Sequence, residues 1–186
     1  NPKSNLASQI ITSDDAILGK FYVDNRTHVD YKDLSPHLIN ALVATEDERF
    51  YNHTGIDFEA LARAIVKLGR DGGGSTITQQ LAKQLFHKSP RGKLERIIQK
   101  FKEWVIAAKL ERQYTKEEII TMYFNQFDFL YQAIGIHSAA SIYFNTSPDK
   151  LTIEQSAILV GMAKNPWLYN PYRSPERMKD RRNVVY

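Results

Sequence analysis

The chain has 186 residues, of which 42% are hydrophobic and 25% charged, a composition typical of a folded globular domain and not of a disordered or fibrous chain. Lysine and arginine number 25 against 21 acidic residues, and the resulting charge of +4 favours an anionic partner. The sequence contains no apolar run of membrane-spanning length, and its lack of cysteine excludes disulfides and thiolate metal sites. Because the chain begins without a methionine, we expect it to be a piece of a longer protein.

The N-terminal part of the chain is predicted to be partly extended and the rest helical. Residues 16–31 carry β-branched and aromatic side chains around the turn-like pair Asp24-Asn25, which predicts a small strand or β-hairpin. From Ser35 onward apolar residues recur at helical spacing. We therefore expect an N-terminal extension over residues 1–34 and a mainly α domain over residues 35–186.

Helix start signals are frequent after residue 34. Ser35-Pro36, Asp57 and Ser174-Pro175 each place a capping residue before a predicted helix. Reciprocal capping boxes are predicted for three pairs: Thr76 with Gln79, Thr115 with Glu118, and Thr152 with Gln155. A long helix over residues 91–113 carries an apolar stripe formed by Leu94, Ile97, Phe101, Val105 and Ala108.

The stretch GGGSTITQQLAKQLF, residues 72–86, joins a glycine-rich start to a helix whose polar face has no carboxylate. Free backbone N–H groups, hydroxyl side chains and Lys83 form a set of donors suited to a negative group. The Gly-Lys-Ser/Thr order of a Walker loop is absent. This helix start is predicted to bind a phosphate-bearing ligand, and the alternative is a surface helix with a flexible start.

Two carboxylate clusters are further candidates for chemistry. Glu46, Asp47 and Glu48 lie at the end of a predicted helix, where acidic side chains oppose the helix dipole. Lys100 and Glu103 share one face of the long helix. An exposed acidic turn and a surface ion pair are the simpler alternatives. The five histidines show no paired spacing typical of a zinc site.

Taken in order, these stretches resemble the peptidoglycan glycosyltransferase domain of class A penicillin-binding proteins and monofunctional transglycosylases. The family motif EDxxFxxHxG matches residues 46–55, and GGSTITQQ with a later lysine matches residues 73–80 and Lys83. A further motif, KxxIxxxYxN, matches at Lys116, Ile119, Tyr123 and Asn125. The tail at 151–171, followed by Arg181 and Arg182, is similar to the family's closing helix and loop, so the resemblance covers residues 34–185.

The chain departs from the family pattern in three places. Gln99 replaces the arginine of an RKxxE motif whose Lys100 and Glu103 are present, and Gln84 replaces the asparagine that usually closes the second motif. The stretch FDFLYQAIGIHSAA, residues 127–140, differs from the commoner glycine-rich version. Loss of the arginine removes part of the phosphate neutralisation, for which the replacement candidates are Lys102, Arg96 and Arg91.

The resemblance implies a lysozyme-like bilobed helical fold and the polymerisation of lipid II into β-1,4-linked strands with inversion and release of undecaprenyl diphosphate. It implies Glu46 as the general base and Glu103 as a second catalytic group, which orients lysines or holds a divalent cation (Mg²⁺ or Mn²⁺) at the diphosphate. Substrate-binding roles are implied for Asp47, Phe50, His53, Ser75, Thr76, Thr78, Gln79, Gln80, Lys83, Lys100, Lys116 and Asn125.

The partners implied by the resemblance are lipid II, the growing glycan strand, a bacterial membrane surface and phosphoglycolipid inhibitors such as moenomycin. The implied location is the outer face of the bacterial cytoplasmic membrane, with the membrane anchor outside this chain. The sequence leaves open whether a transpeptidase domain follows.

Three other functions were weighed against this one. A lysozyme-like muramidase has no use for a diphosphate site, because a glycosidase protonates a sugar leaving group. For an inactive cell-wall-binding scaffold, the only supporting feature of the sequence is Gln99 in place of the family's arginine. A nucleic-acid or membrane-surface binding module finds support in the basic last helix, but no basic groove with stacking aromatics accompanies it, so no nucleic acid partner is expected.

Overall fold

A computed structural model of the chain describes residues 8–11, 17–21, 27–66, 74–86 and 92–186. Within these ranges the protein is mainly helical, as predicted, with one small antiparallel hairpin formed by β1 (Ser8–Ile11) and β2 (Ile17–Phe21). The α-helices of the described ranges are α1 (Pro36–Glu46), α2 (Phe58–Val66), α3 (Ile77–Phe86), α4 (Lys93–Gln113), α5 (Lys116–Gln126), α6 (Ile136–Phe144), α7 (Ile153–Lys164) and α8 (Pro175–Val185). Short 3₁₀ turns lie at Tyr31–Asp33, Phe50–Asn52 and Pro148–Lys150.

The hairpin lies earlier in the chain than predicted. β2 overlaps the predicted region, but it pairs with β1, so that Ser8 lies opposite Phe21 and Ile11 opposite Ile17. The predicted turn at Asp24-Asn25 lies outside the described residues. A strand within residues 16–31 is therefore confirmed by β2, and its partner β1 precedes the predicted region, because a turn-like pair does not identify which strands pair.

Most of the helix start signals are confirmed. Ser35 precedes Pro36 at the start of α1, and the Asp57 side chain accepts the N–H of Ala60 at 2.9 Å in the first turn of α2. Ser174 and a proline likewise begin α8. Both capping boxes predicted downstream are present and reciprocal, namely Thr115 with Glu118 and Thr152 with Gln155.

The helices contact one another in two groups. One group contains α1, α7 and α8, and the other contains α3, α4 and α5. A shared core joins them, with Leu42 of α1, Leu81 of α3 and Val160 of α7 fully buried. The grouping is that of a two-lobed helical domain. The domain boundary predicted at residue 35 stays a prediction, and Val29 and Leu34, which precede it, are buried in this core.

The apolar stripe of α4 faces away from the core. The long helix itself is confirmed, but Leu94 is 76% exposed and Phe101 is 57% exposed, while Ala107 on another face is fully buried. Periodicity shows that residues share one face of a helix, and it does not show what that face contacts. None of the helices in the described part of the chain combines the length and the hydropathy needed to cross a membrane.

Candidate active site

Glu46 ends α1 and lies between two polar groups from other helices. Its Oε2 accepts a hydrogen bond from Gln80 Nε2 at 2.8 Å, and its Oε1 lies 3.6 Å from the guanidinium of Arg181. The side chains of Glu46 and Arg181 are only 14% and 11% exposed. The carboxylate is thus held by a donated hydrogen bond on one oxygen and by an opposite charge beside the other.

The amide of Gln80 is oriented by a buried tyrosine. Tyr123 of α5 donates its hydroxyl proton to Gln80 Oε1 at 3.2 Å, which turns the amide N–H₂ group toward Glu46. Burial and the nearby negative charge of Glu46 raise the pKa of the Tyr123 hydroxyl, so that it remains a donor at neutral pH. Three helices, α1, α3 and α5, thus hold the carboxylate in place.

Arg181 is the site residue that sequence reasoning missed. The sequence placed it only in a basic last helix similar to that of the family. In the structure α8 lies so close to α7 that a Cβ added to Gly161 would lie 2.7 Å from Met178 Cε and 3.2 Å from Arg181 Cγ. The Arg181 guanidinium also lies 5.9 Å from the centre of the Tyr169 ring. The available signal for Arg181 in the sequence was the match of Arg181 and Arg182 to the family's closing arginine pair. No local pattern identifies Glu46 as the partner of Arg181.

Lys100 and Ser75 form the second part of the site. Lys100 Nζ donates to Ser75 Oγ at 2.7 Å and to Glu103 Oε2 at 3.2 Å. Gln99 Nε2 lies 3.5 Å from Glu103 Oε1, so the residue that replaces the family's arginine still reaches the carboxylate but carries no charge. Lys83 is exposed on α3, about one turn beyond Gln80. The structure therefore brings the Glu46 carboxylate and two lysines to the short segment between Ser75 and Lys83.

Asp47 and His53 fix the start of α3. Asp47 Oδ2 accepts the backbone N–H of Ile77 at 3.0 Å, and His53 Nε2 lies 3.0 Å from both carboxylate oxygens. His53 Nδ1 accepts the N–H of Gly55 at 3.1 Å, so the ring proton is on Nε2 and is donated to Asp47. A carboxylate at a helix N-terminus is stabilised by the free N–H groups there.

The carbonyl of Gly55 meets the same end of α3. It accepts the Thr76 hydroxyl at 2.7 Å and the Gln79 amide at 3.4 Å. Gly55 has a φ of +93°, and an added Cβ would lie 2.9 Å from the carbonyl oxygen of Ala107, so glycine is required here. Thr76 Oγ1 accepts the Gln79 N–H at 3.1 Å, but the Gln79 side chain does not return to Thr76. The reciprocal half of that predicted capping box was wrong, because Gly55 takes the amide.

A polar cluster behind α3 contains two more of the predicted site residues. The Thr78 hydroxyl donates to Glu111 at 2.5 Å, and Lys116 Nζ lies 2.8 Å from Glu111 and 2.7 Å from the carbonyl of His53. The lysine also lies 4.3 Å from the centre of the buried Phe50 ring. Glu111, which sequence reasoning did not select, neutralises this lysine.

Asn125 is fully engaged with the segment before α1. Its Oδ1 accepts the N–H of Val29 at 3.0 Å, and its Nδ2 donates to the carbonyl of Val29 at 2.9 Å. Substrate binding by Asn125 stays a prediction. The same holds for the buried residues of the preceding networks, namely Asp47, Phe50, Thr76, Thr78 and Gln79. Their described contacts are internal, and they position the start of α3.

Arg49, inside the first motif, holds the loop that leads into α2. It donates to both Asp57 and Glu59, with Nε 2.9 Å from Asp57 Oδ2. The hydrogen bonds from Arg49 are the main cause that lowers the pKa of Asp57 to about 2, aided by the Ala60 N–H. This ion pair stabilises the loop that carries His53 and Gly55 toward α3.

Comparison with known proteins identifies relatives along almost the whole chain. A protein-family model described as Transglycosylase matches residues 14–186. The chain is 42% identical over 159 residues to penicillin-binding protein 2a of Streptococcus pneumoniae, covering 86% of this chain and 21% of that protein. It is 40% identical over 183 residues to penicillin-binding protein 1A of Aquifex aeolicus, covering 96% and 25% respectively.

A solved structure shows the same fold. The 2.6 Å crystal structure of penicillin-binding protein 1A from Haemophilus influenzae superposes with a TM-score of 0.50 and 24% identity, covering 97% of this chain and 17% of that chain. The chain thus spans a quarter or less of the length of the relatives it matches.

Proposed function

Because the chain belongs to the transglycosylase family, we propose that it polymerises lipid II into β-1,4-linked glycan strands and releases undecaprenyl diphosphate. The resemblance carried by the motifs, to the transglycosylase domain of class A penicillin-binding proteins, is confirmed by this family match. The observation that carries the proposed reaction is a pair of contacts made at the start of α3 and just before it. Gln80 holds the Glu46 carboxylate, and Ser75 holds the Lys100 ammonium.

Glu46 acts as the base on the acceptor. One oxygen accepts from Gln80 and the other faces Arg181, which leaves acceptor capacity for the 4-hydroxyl of the incoming sugar. As the carboxylate takes the hydroxyl proton, the sugar oxygen attacks C1 of the growing strand on the face opposite the diphosphate. The new C–O bond forms while the bond between C1 and the phosphate oxygen breaks, so the anomeric configuration inverts.

The leaving diphosphate requires positive charge more than it requires a proton. An ammonium group has three N–H donors, and the described contacts of Lys100 use two of them, on Ser75 and Glu103. The third remains for a phosphate oxygen. Lys83 supplies a second cation from α3, and Glu103 orients Lys100.

Glu103 does not by itself form a metal site. Its carboxylate is paired with Lys100, and the described part of the chain contains no group of three or more His, Asp or Glu side chains placed to hold a metal ion. Magnesium at phosphate groups is commonly held by one or two carboxylates together with phosphate oxygens. The donor set therefore fits neutralisation by lysine and does not fit a metal held by the protein alone. A Mg²⁺ or Mn²⁺ ion that arrives with the diphosphate stays a prediction, tested by the dependence of the rate on added metal.

The lipid tail of the donor makes a bacterial membrane surface the proposed partner. The exposed apolar stripe of α4 supports this, because contiguous exposed apolar side chains mark interaction sites. Phosphoglycolipids such as moenomycin share the lipid-phosphate chemistry and are proposed to bind at the lysines. We place the domain at the outer face of the cytoplasmic membrane, with the anchor and any transpeptidase domain in the rest of a longer protein.

Incubation with lipid II and, separately, with finished glycan tests the proposal. We expect lipid II to be polymerised and finished glycan to remain intact. Glu46→Gln is expected to lower the rate by about 10²–10⁴-fold, or about 3–5 kcal/mol, whereas the exposed neighbour variant Glu48→Gln stays near the wild-type rate. Near-normal polymerisation by Glu46→Gln would remove Glu46 from the role of base. Glycan cleavage would support a muramidase, and lipid II binding without polymerisation a scaffold.

A further inference from the structure

Tyr123 of α5 is a buried titratable residue to which the proposed reaction gives no part. The sequence contains it as a match to the motif KxxIxxxYxN, without a role in the site. Its side chain is fully buried, so its hydroxyl needs a hydrogen-bond partner inside the protein. Among the described residues that partner is Gln80, whose Oε1 lies 3.2 Å from the hydroxyl oxygen. A buried polar contact that leads to the proposed base calls for a functional explanation.

Two aromatic side chains fix the ring of Tyr123. Phe127 stacks on it, with ring centres 5.8 Å apart and an angle of 26° between the planes, and Phe124 meets it edge-on at 5.6 Å. The Phe127 N–H also donates to the Tyr123 carbonyl at 3.1 Å, where α5 ends. Close packing of this kind leaves the hydroxyl oxygen little freedom to move. The hydroxyl is therefore a donor at a fixed position.

The side-chain amide of Gln80 has two ends of nearly the same shape, so its neighbours decide which end faces which way. Nε2 donates to Glu46 at 2.8 Å, and Oε1 accepts the Tyr123 hydroxyl. Without that hydroxyl, Oε1 would have no donor among the described contacts. Because an unpaired carbonyl costs stability and Gln80 is only half-buried, the side chain would then gain by turning toward water.

The orientation of this amide bears on the reaction because Gln80 is one of two groups that hold the Glu46 carboxylate. A small misplacement of a reacting group lowers the rate of the chemical step strongly. Since Tyr123 is fully buried, it contacts no substrate, and its route to the reacting atoms runs through Gln80. The hydroxyl therefore affects how the base is placed and leaves the binding contacts of the substrate unchanged.

We propose that Tyr123 is a positioning residue for the base, and that its hydroxyl acts through the Gln80 amide to hold the Glu46 carboxylate in the reactive geometry. The inference rests on the proposed function, because the placement of Glu46 matters to the rate only if Glu46 takes the proton. It sets Tyr123 apart from the buried hydroxyls of Thr76 and Thr78, whose hydrogen bonds end on groups other than Gln80 and Glu46.

The variant Tyr123→Phe removes one oxygen and keeps the aromatic ring. We expect kcat for polymerisation of lipid II to fall about tenfold or more, while KM changes by less than about twofold, because the binding contacts are untouched. Tyr143→Phe is the matched control. The Tyr143 hydroxyl also donates to a carbonyl, that of Phe129 at 2.6 Å, but it contacts no residue of the site. This control should keep the wild-type kcat, and melting temperatures are recorded for both variants.

A double variant tests whether Tyr123 acts through Gln80. In a protein that already carries Gln80→Leu, adding Tyr123→Phe should lower kcat only slightly further, because the amide that the hydroxyl orients is gone. A purely structural role of Tyr123 predicts the same fold-loss in both backgrounds.

Nuclear magnetic resonance measures the amide without the reaction. The side-chain N–H₂ resonances of Gln80 in ¹⁵N-labelled protein are assigned by their absence in Gln80→Leu. They should shift in Tyr123→Phe and stay in place in Tyr143→Phe. If the resonances shift but the wild-type protein does not polymerise lipid II, only the proposed reaction is refuted. Unmoved resonances, a wild-type kcat in Tyr123→Phe, an equal loss in the Gln80→Leu background, or an equal loss in Tyr143→Phe overturns the positioning role.

Discussion

Replacement of Arg181 by methionine tests whether the buried ion pair supports the base. The guanidinium lies 3.6 Å from Glu46 Oε1, a separation at which Coulomb's law gives about 4.6 kcal/mol with an effective dielectric constant of about 20. The hydrogen bond from Gln80 remains in the variant, and the desolvation that the arginine suffers is recovered. The expected loss is one of positioning, because one of the two groups that hold the carboxylate is removed, and we expect about a 10–100-fold lower kcat/KM, or about 1.4–2.8 kcal/mol.

The assay is the initial rate of polymerisation of a fluorescent lipid II, measured with the melting temperature of each variant. Arg182→Met is the matched control, since its guanidinium contacts Asn183 and not Glu46. If Arg181 acts through Glu46, Arg181→Met should lower the polymerisation rate only slightly further in a protein that already carries Glu46→Gln. An equal fold-loss in both backgrounds would refute the reasoning and give Arg181 a separate role.

The remaining predictions concern the diphosphate site and the loop before α2. Lys100→Ala should lower both turnover and moenomycin affinity by about tenfold or more, because a charged donor is lost, and unchanged values would make it a surface lysine. Gly55→Ala should destabilise the fold by about 1–3 kcal/mol in urea unfolding, whereas Gly92→Ala, which has nothing within 4 Å of its Cβ and changes only the N-cap preference of α4, should destabilise it less; equal effects would contradict the strain argument. Since Arg49 lowers the pKa of Asp57 to about 2 from 3.8, the stabilisation from their pairing is present above pH 4 and is lost toward pH 2. The stability gap between wild type and Arg49→Met, about 1–2 kcal/mol at pH 7, should therefore close in acid unfolding, and a pH-independent gap would exclude this cause.

The sequence predicted the features that depend on residues close together in the chain. Proline at α1 and threonine with glutamate at α5 marked helix starts correctly, because a cap needs only neighbours within four residues. The ordered motifs also selected Glu46 and Lys100, since those residue types at those positions suit a base and a phosphate-binding cation.

The sequence did not predict the side-chain contacts between residues that are far apart in the chain. Arg181 meets Glu46 only because α8 packs on α7, and no spacing in the chain encodes that approach. The hydroxyls of Thr76 and Thr78 were expected to face a ligand, yet their protons go to Gly55 and Glu111. Helical spacing orders residues around an axis, but the surroundings of each face are set by tertiary packing.

The contacts of α3 have a mechanical consequence for polymer synthesis. Ser75 precedes α3 by two residues and Gln80 lies in its first turns, and they hold the two groups of opposite charge that the proposed reaction needs. The proposed proton acceptor and phosphate anchor are therefore both held by the short segment from Ser75 to Gln80, so that a displacement of this segment would move the two groups together.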